Sequence, residues 1–225
     1  MLYVPVFGYG SNSIEQVSQR VGADVSARCV RGILHHYQRR FVGFSKRWNG
    51  SVATVVKESR PESLCRGTLV FLTKEEVCRL DRWETVNPEN PKDSAAAWIY
   101  RRVLAEVEVM GIPQQETQTL LDTLVCSRDA IDWAVLRESE GGENMVDAAA
   151  GQLQDQSTGT SGRLLLPCTI YVKNGDESEG EPSVDYLTAV AHNLSLFFSQ
   201  EDIAEELGES LLKKVTTFSQ ACIRA

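Results

Sequence analysis

Apolar and polar positions along the chain change period several times, and each change marks an element. Residues 2–7 form a short run with strand character. After a turn, Ile14, Val17 and Val21 recur on one helical face, Ser13 and Gln16 fit a capping box, and Gly22 supplies the stop. Residues 28–44 are strand-rich around Gly32 and Gly43, and Trp48-Asn49-Gly50 is a turn signal before a strand over 51–56. A polar loop with Pro61 leads to a strand over 66–72. Thr73 and Glu76 then open a helix through Val77, Leu80, Asp81 and Trp83 to Glu84. A loop over 87–94 precedes a long strand over 98–110. Helical spacing follows over 114–138 (Leu120, Leu121, Leu124, Val125, Ile131, Ala134, Val135). Residues 139–163 have the composition of a mobile connector. A strand over 164–172 and a charged turn over 174–181 come next. Two helices close the chain, one over 185–198 behind Pro182 and Ser183, the other from Gln200 to the end with Ile203, Leu207, Leu211, Val215, Phe218 and Cys222 in register. No internal repeat is visible.

Composition narrows the classes. A chain of 225 residues suits one large domain or two small ones with a sizeable core. The net charge of −8 argues against a nucleic-acid surface, and the pairs Arg39-Arg40 and Arg101-Arg102 split across strand faces rather than forming a patch. No apolar run has the length of a membrane span, and residues 1–7 lack the basic start of a secretory signal. The expectation is a cytoplasmic protein. Its six scattered cysteines (Cys29, Cys65, Cys78, Cys126, Cys168, Cys222) then read as reduced, mostly buried thiols. The sequons at Asn49 and Asn193 carry no meaning without export, and His35 and His36 would face opposite ways on a strand, which argues against a metal.

Two stretches carry candidate chemistry. The first is Val6-Phe7-Gly8-Tyr9-Gly10-Ser11-Asn12, between a strand and a helix start. Such a turn aims backbone N–H groups and the positive helix end at one point, the makings of an anion site, and Tyr9 offers a phenol. The alternative is a plain turn using the residues turns favour. The pattern is neither G-x-G-x-x-G, nor a P-loop, nor G-x-S-x-G, so dinucleotides, nucleotides and a serine nucleophile are poorly supported. The second is Glu84. At about 100° per residue it shares a stripe with Val77 and Leu80, which should face the core. A carboxylate there needs a partner or a raised pKa, the setting of a general base. Alternatively the helix has frayed and Glu84 turns into water.

The order of these pieces resembles the gamma-glutamylcyclotransferase family. The resemblance rests on Tyr9-Gly10-Ser11-Asn12, then Gly50-Ser51-Val52-Ala53-Thr54, then Leu80-Asp81-Arg82-Trp83-Glu84 for the family's Leu-Asp-x-x-Glu. Tyr100 leading a strand follows, then Thr169-Ile170-Tyr171 and Pro182-Ser183-Val184-Asp185-Tyr186. It covers about 3–110 and 164–194. The family's glutamate is usually followed by glycine, and Thr85 stands there instead. The glutathione-specific branch usually has leucine where Asn12 stands, and its aspartate-histidine-arginine-glycine signature is absent. The match points to the branches acting on gamma-glutamyl amino acids or gamma-glutamyl amines.

The resemblance implies an α+β fold, a small mixed β-sheet closing into a barrel with flanking helices. Residues 1–110 and 164–225 would form that single domain, and 111–163 an insertion of a helix and a flexible connector. It also implies a cofactor-free reaction: the substrate's α-amine attacks its own γ-carbonyl, giving 5-oxoproline and a free amine or amino acid. Glu84 would be the general acid/base. Phe7, Gly8, Tyr9, Gly10, Ser11 and Asn12 would hold the substrate, with Tyr100 and Tyr186 as hydrogen-bond donors. Tyr171 is read as core with its hydroxyl satisfied elsewhere, and Asp81 as structural, bonding backbone near the glycine turn, or as a carboxylate paired with Glu84. The expected partner is a small gamma-glutamyl compound, with no nucleic acid, membrane, metal or organic cofactor; a homodimer is left open. Two other classes remain: a module that binds a small carboxylate without turnover, and an interaction protein using 111–163.

Overall fold

The computed structural model describes residues 1–95, 97–110, 130–142, 145, 164–175, 178–209 and 211–213. The described residues form the strands β1 (Val4–Gly8), β2 (Cys29–His35), β3 (Tyr37–Ser45), β4 (Gly50–Lys57), β5 (Leu64–Leu72), β6 (Tyr100–Val109) and β7 (Leu164–Lys173). Helices α1 (Ile14–Val21), α2 (Lys74–Glu84), α3 (Trp133–Arg137), α4 (Val184–Ser195) and α5 (Gln200–Leu207) flank them. Five strands close a barrel in the order β1-β5-β2-β6-β7, while β3 and β4 form a separate two-stranded sheet. Only the β1–β7 contact is parallel within the barrel, so the sheet is mixed. This is the α+β barrel expected from the sequence.

Local chemistry accounts for the elements. Ser13 Oγ accepts from the Gln16 amide at 3.3 Å and Gly22 closes α1 at φ 70. The reciprocal half of the expected capping box does not form: Gln16 Oε1 is buried without a partner among the described residues. For α2 the box is complete, because Glu76 also accepts from the Thr73 amide. Glu76 holds Arg28 through two contacts of 2.8 Å as well, tying α2 to the chain entering β2. Strand β5 reads as a continuous buried run rather than an alternating one, since β1 and β2 flank it in the barrel and α4 lies against it. The ring of Phe7 lies over Gly32 and Gly67, where a Cβ would come within 3.3 Å and 2.7 Å of it. Those two glycines make room for it.

The small sheet is fastened by Arg39 on β3. Its guanidinium reaches the carbonyls of Tyr9 and Arg66 at 2.9 and 2.7 Å and Glu206 of α5 at 2.7 Å, with both side chains of the ion pair almost fully buried. A buried pair of this kind fixes geometry more than it stabilises.

Several boundaries differ from the sequence reading. Residues 28–44 hold two strands, and His36 at φ 61 makes the turn between them, so the two histidines do not share a strand; His35 lies 2.6 Å from Glu108. The helix expected from Gln200 onward breaks at Gly208, which takes φ 83, and helical residues resume at 209 and 211–213; residues 210 and 214–225 lie outside the described residues. The helix expected over 114–138 is described only as α3, and most of 139–163 lies outside the described residues. In the described part of the connector Ser139 and Gly142 are buried while Glu140 and Gly141 are exposed, and Glu140 exchanges backbone hydrogen bonds with Arg102 and Leu104 of β6. Cys29, Cys65 and Cys168 are free and buried and Cys78 is exposed; Cys126 and Cys222 lie outside the described residues. Burial pushes the Cys29 thiol up to about 12, so it stays protonated. No helix among the described residues is long and apolar enough to cross a membrane.

Candidate active site

A cavity of about 400 Å³ opens beside the end of β1. The stretch from Phe7 to Asn12 lines one side, and Glu84, at the last turn of α2, lines another. Tyr100 at the start of β6 and Tyr186 in the first turn of α4 complete the wall around them. All nine residues singled out from the sequence therefore border one space.

Glu84 does not fray into water; its side chain is only 11% exposed. Oε1 accepts from Asn12 Nδ2 and from Arg20 Nη1, both at 2.9 Å. Arg20 also donates to Asn12 Oδ1 at 2.7 Å, so the three side chains form a closed triangle. Burial raises the Glu84 pKa above the ordinary carboxylate value, and Arg20 and Asn12 pull it only part of the way back. Desolvation outweighs the ion pair.

The turn has its carbonyls tied from behind. Arg39 holds the Tyr9 carbonyl and Asn193 donates to the Gly10 carbonyl at 3.3 Å. In a trans peptide the next N–H points the opposite way, so the Gly10 and Ser11 amides face away from those anchors. No hydrogen bond among the described residues takes up the amides of Gly10, Ser11 or Asn12. Three adjacent N–H groups with no acceptor among the described residues, just before the N-cap of α1, are suited to an anion.

Not every residue in this wall offers a functional group. Tyr9 was expected to present its phenol, but that hydroxyl donates to the Tyr171 carbonyl and is buried. Phe7 is 1% exposed and its ring belongs to the barrel core. Tyr171 is core, as expected, and its hydroxyl donates to Asp81 Oδ1 at 2.8 Å. Asp81 thus bonds Tyr171 and faces Arg102 at 3.7 Å, rather than the backbone of the glycine turn. Burial raises the Asp81 pKa despite Arg102 and Tyr171. Tyr186 accepts from the Ala53 amide at 2.8 Å, and its oxygen would lie 3.2 Å from a Cβ at Gly10. Burial, then the charge of Glu84, raise the pKa of Tyr100, so that phenol stays protonated.

No family model matches the chain, and no curated protein matches it. Solved structures do. A gamma-glutamyl cyclotransferase superposes with a TM-score of 0.55 at 14% identity, over 92% of this chain and 87% of that one. A yeast gamma-glutamyl cyclotransferase specific to glutathione gives 0.52 at 16% identity, over 97% of both chains. The chain has the gamma-glutamyl cyclotransferase-like fold. YkqA from Bacillus subtilis matches at 0.55 and 17% identity, over 93% of this chain and 54% of its own.

Within this cyclotransferase-like fold, sequence reasoning passed over Arg20, Arg39 and Asn193. Arg20 had a signal: it sits three residues after Val17, on the apolar face of α1, where a charge needs a partner. Arg39 and Asn193 had none, because their partners lie 30 and 183 residues away. Among the described residues no group of three or more histidine, cysteine, aspartate or glutamate side chains is arranged to hold a metal.

Proposed function

We propose that this protein is a gamma-glutamyl cyclotransferase. Substrate enters with its glutamyl end between the Phe7–Asn12 turn and Glu84. The Glu84 carboxylate takes a proton from the substrate's α-ammonium, and the freed amine attacks the γ-carbonyl carbon. The ring nitrogen sheds a second proton as the C–N bond to the leaving group breaks; Glu84 returns the first proton to the departing nitrogen, and the second completes the ammonium of the released amine. The amides of Gly10 and Ser11 stabilise negative charge, either the α-carboxylate or the oxygen of the tetrahedral intermediate. Ring closure within one molecule leaves the protein mainly a positioning task, which intramolecular reactions show to be worth up to roughly 7–11 kcal/mol.

The observation that carries this reading is that one desolvated carboxylate and three backbone amides with no acceptor among the described residues belong to residues lining one cavity. The test is release of 5-oxoproline from gamma-glutamyl compounds by wild type and Glu84→Gln. Loss of about 10²–10⁴-fold in kcat with an unchanged circular dichroism spectrum is the expected result. Wild-type turnover by the variant removes Glu84 as the base. A second reading has its own support: the 2.9 Å ion pair with Arg20 opposes proton uptake by Glu84, as in a site that only binds small carboxylates. Under it, gamma-glutamyl ligands raise the melting temperature and no product forms.

A further inference from the structure

The outer half of the same cavity has a character that the glutamyl end does not explain. Of the seven large apolar side chains exposed among the described residues, three line this cavity: Phe44, Trp83 and Ile99, at 67%, 61% and 49%. Phe44 owes its position to an irregularity in the β3–β4 pairing between Val42 and Ser45, where Gly43 takes φ 58. Bulges of this kind re-aim side chains beside functional sites. Exposed apolar groups gathered at one mouth mark a binding surface.

The charge is equally uneven. In a protein of net charge −8 the cavity is lined by four cations, Arg20, Lys46, Arg47 and Lys173, against one carboxylate, Glu84. Arg20 is committed to Glu84. Lys46, Arg47 and Lys173 have no carboxylate within ion-pair distance among the described residues. Arg47 is held over the Trp48 ring, 5.4 Å from its centroid, and Trp48 packs edge-on against Tyr186. Lys173 is the cross-strand partner of Tyr100, so the two side chains leave the same face. A volume of about 400 Å³ also falls in the range of drug-sized ligands rather than of a single small amino acid.

We infer that the part of the substrate released on ring closure is an amino acid with a free carboxylate and a large apolar or aromatic side chain. The carboxylate meets Arg47 and Lys46, and the side chain lies across Phe44, Trp83 and Ile99. This rests on the cyclotransferase reading above and decides between its two branches, excluding amines that lack a carboxylate and leaving groups that carry a cation.

The experiment measures 5-oxoproline release from four compounds at low ionic strength: gamma-glutamyl-phenylalanine, gamma-glutamyl-alanine, gamma-glutamyl-phenethylamide and gamma-glutamyl-ε-lysine. The phenylalanine compound should exceed the alanine compound by about tenfold or more in kcat/KM, the usual scale for an added apolar group in a pocket. It should exceed the phenethylamide, which lacks only the carboxylate, by about fivefold, and salt should erode that ratio. Phe44→Ala should shrink the first ratio, and the double variant Lys46→Ala/Arg47→Ala the second. Equal or better turnover of the alanine or ε-lysine compound, or ratios untouched by these variants, overturns the inference while the cyclotransferase reading stands. Release from none of the four overturns both.

Discussion

Thr85→Gly should stabilise the protein, and the reason lies in how α2 ends. Thr85 follows Glu84 directly and takes φ 55, ψ 50, the left-handed conformation. The Val86 amide bonds the Asp81 carbonyl at 3.0 Å and the Thr85 amide the Arg82 carbonyl at 3.4 Å, the double closure that commonly places glycine at the left-handed position. Here a β-branched residue occupies it. Left-handed backbone costs an L-residue roughly 1–2 kcal/mol, whereas glycine adopts it freely. Glycine also gains freedom in the unfolded chain, which returns about 0.5–1 kcal/mol of that benefit. The net expectation is a gain of up to about 1 kcal/mol, or about 2–4 °C in Tm for a chain of this size. Urea titration reads it as a rise in midpoint with an unchanged slope. Thr85→Ala keeps the Cβ and should gain little, while Thr85→Asn should fall between, since asparagine tolerates this region. If the glycine variant is no more stable than wild type, the strain assigned to Thr85 is wrong.

The remaining predictions are brief. Burial pushes the Glu76 pKa up, but Arg28 and the Thr73 cap together bring it below its ordinary value of 4.5. A carboxylate lowered on folding stabilises the protein above its unfolded pKa and loses that contribution as pH falls through the folded one. Glu76→Gln should therefore cost about 1–3 kcal/mol at neutral pH, with the deficit fading in acid, as chemical denaturation at several pH values would show. Gly10→Ala should leave the fold intact but crowd the Tyr186 oxygen, which would lie 3.2 Å from the new Cβ. About tenfold or more should be lost from 5-oxoproline release, since small misplacements at a positioning site are costly. Unchanged turnover would show that the turn gives way without consequence.

Local features of this chain were legible because they depend on neighbours in sequence. The Thr73-x-x-Glu76 cap, the Gly22 stop and the stripe that turned Glu84 inward each involve residues within a few positions of one another. What stayed hidden depends on distance. That Tyr9 gives its hydroxyl to a carbonyl 162 residues on cannot be read from the turn that carries it. Nor could the break at Gly208, because the apolar spacing runs through it as it would in one unbroken helix, and helical residues do resume at 209 and 211–213.

The legible and the hidden parts meet at Glu84. Sequence periodicity alone says that this side chain faces inward, and an inward carboxylate without partners would be neutral much of the time. Asn12 and Arg20 change that outcome: one hydrogen bond and one charge keep it accepting, while burial still holds its pKa above the ordinary value. A base for an ammonium group needs this compromise, since a fully stabilised carboxylate would not take the proton and an unsupported one would already hold it. In the proposed reaction Arg20 is therefore a positioning residue, its guanidinium 2.9 Å from Glu84 opposing the rise in pKa that burial imposes.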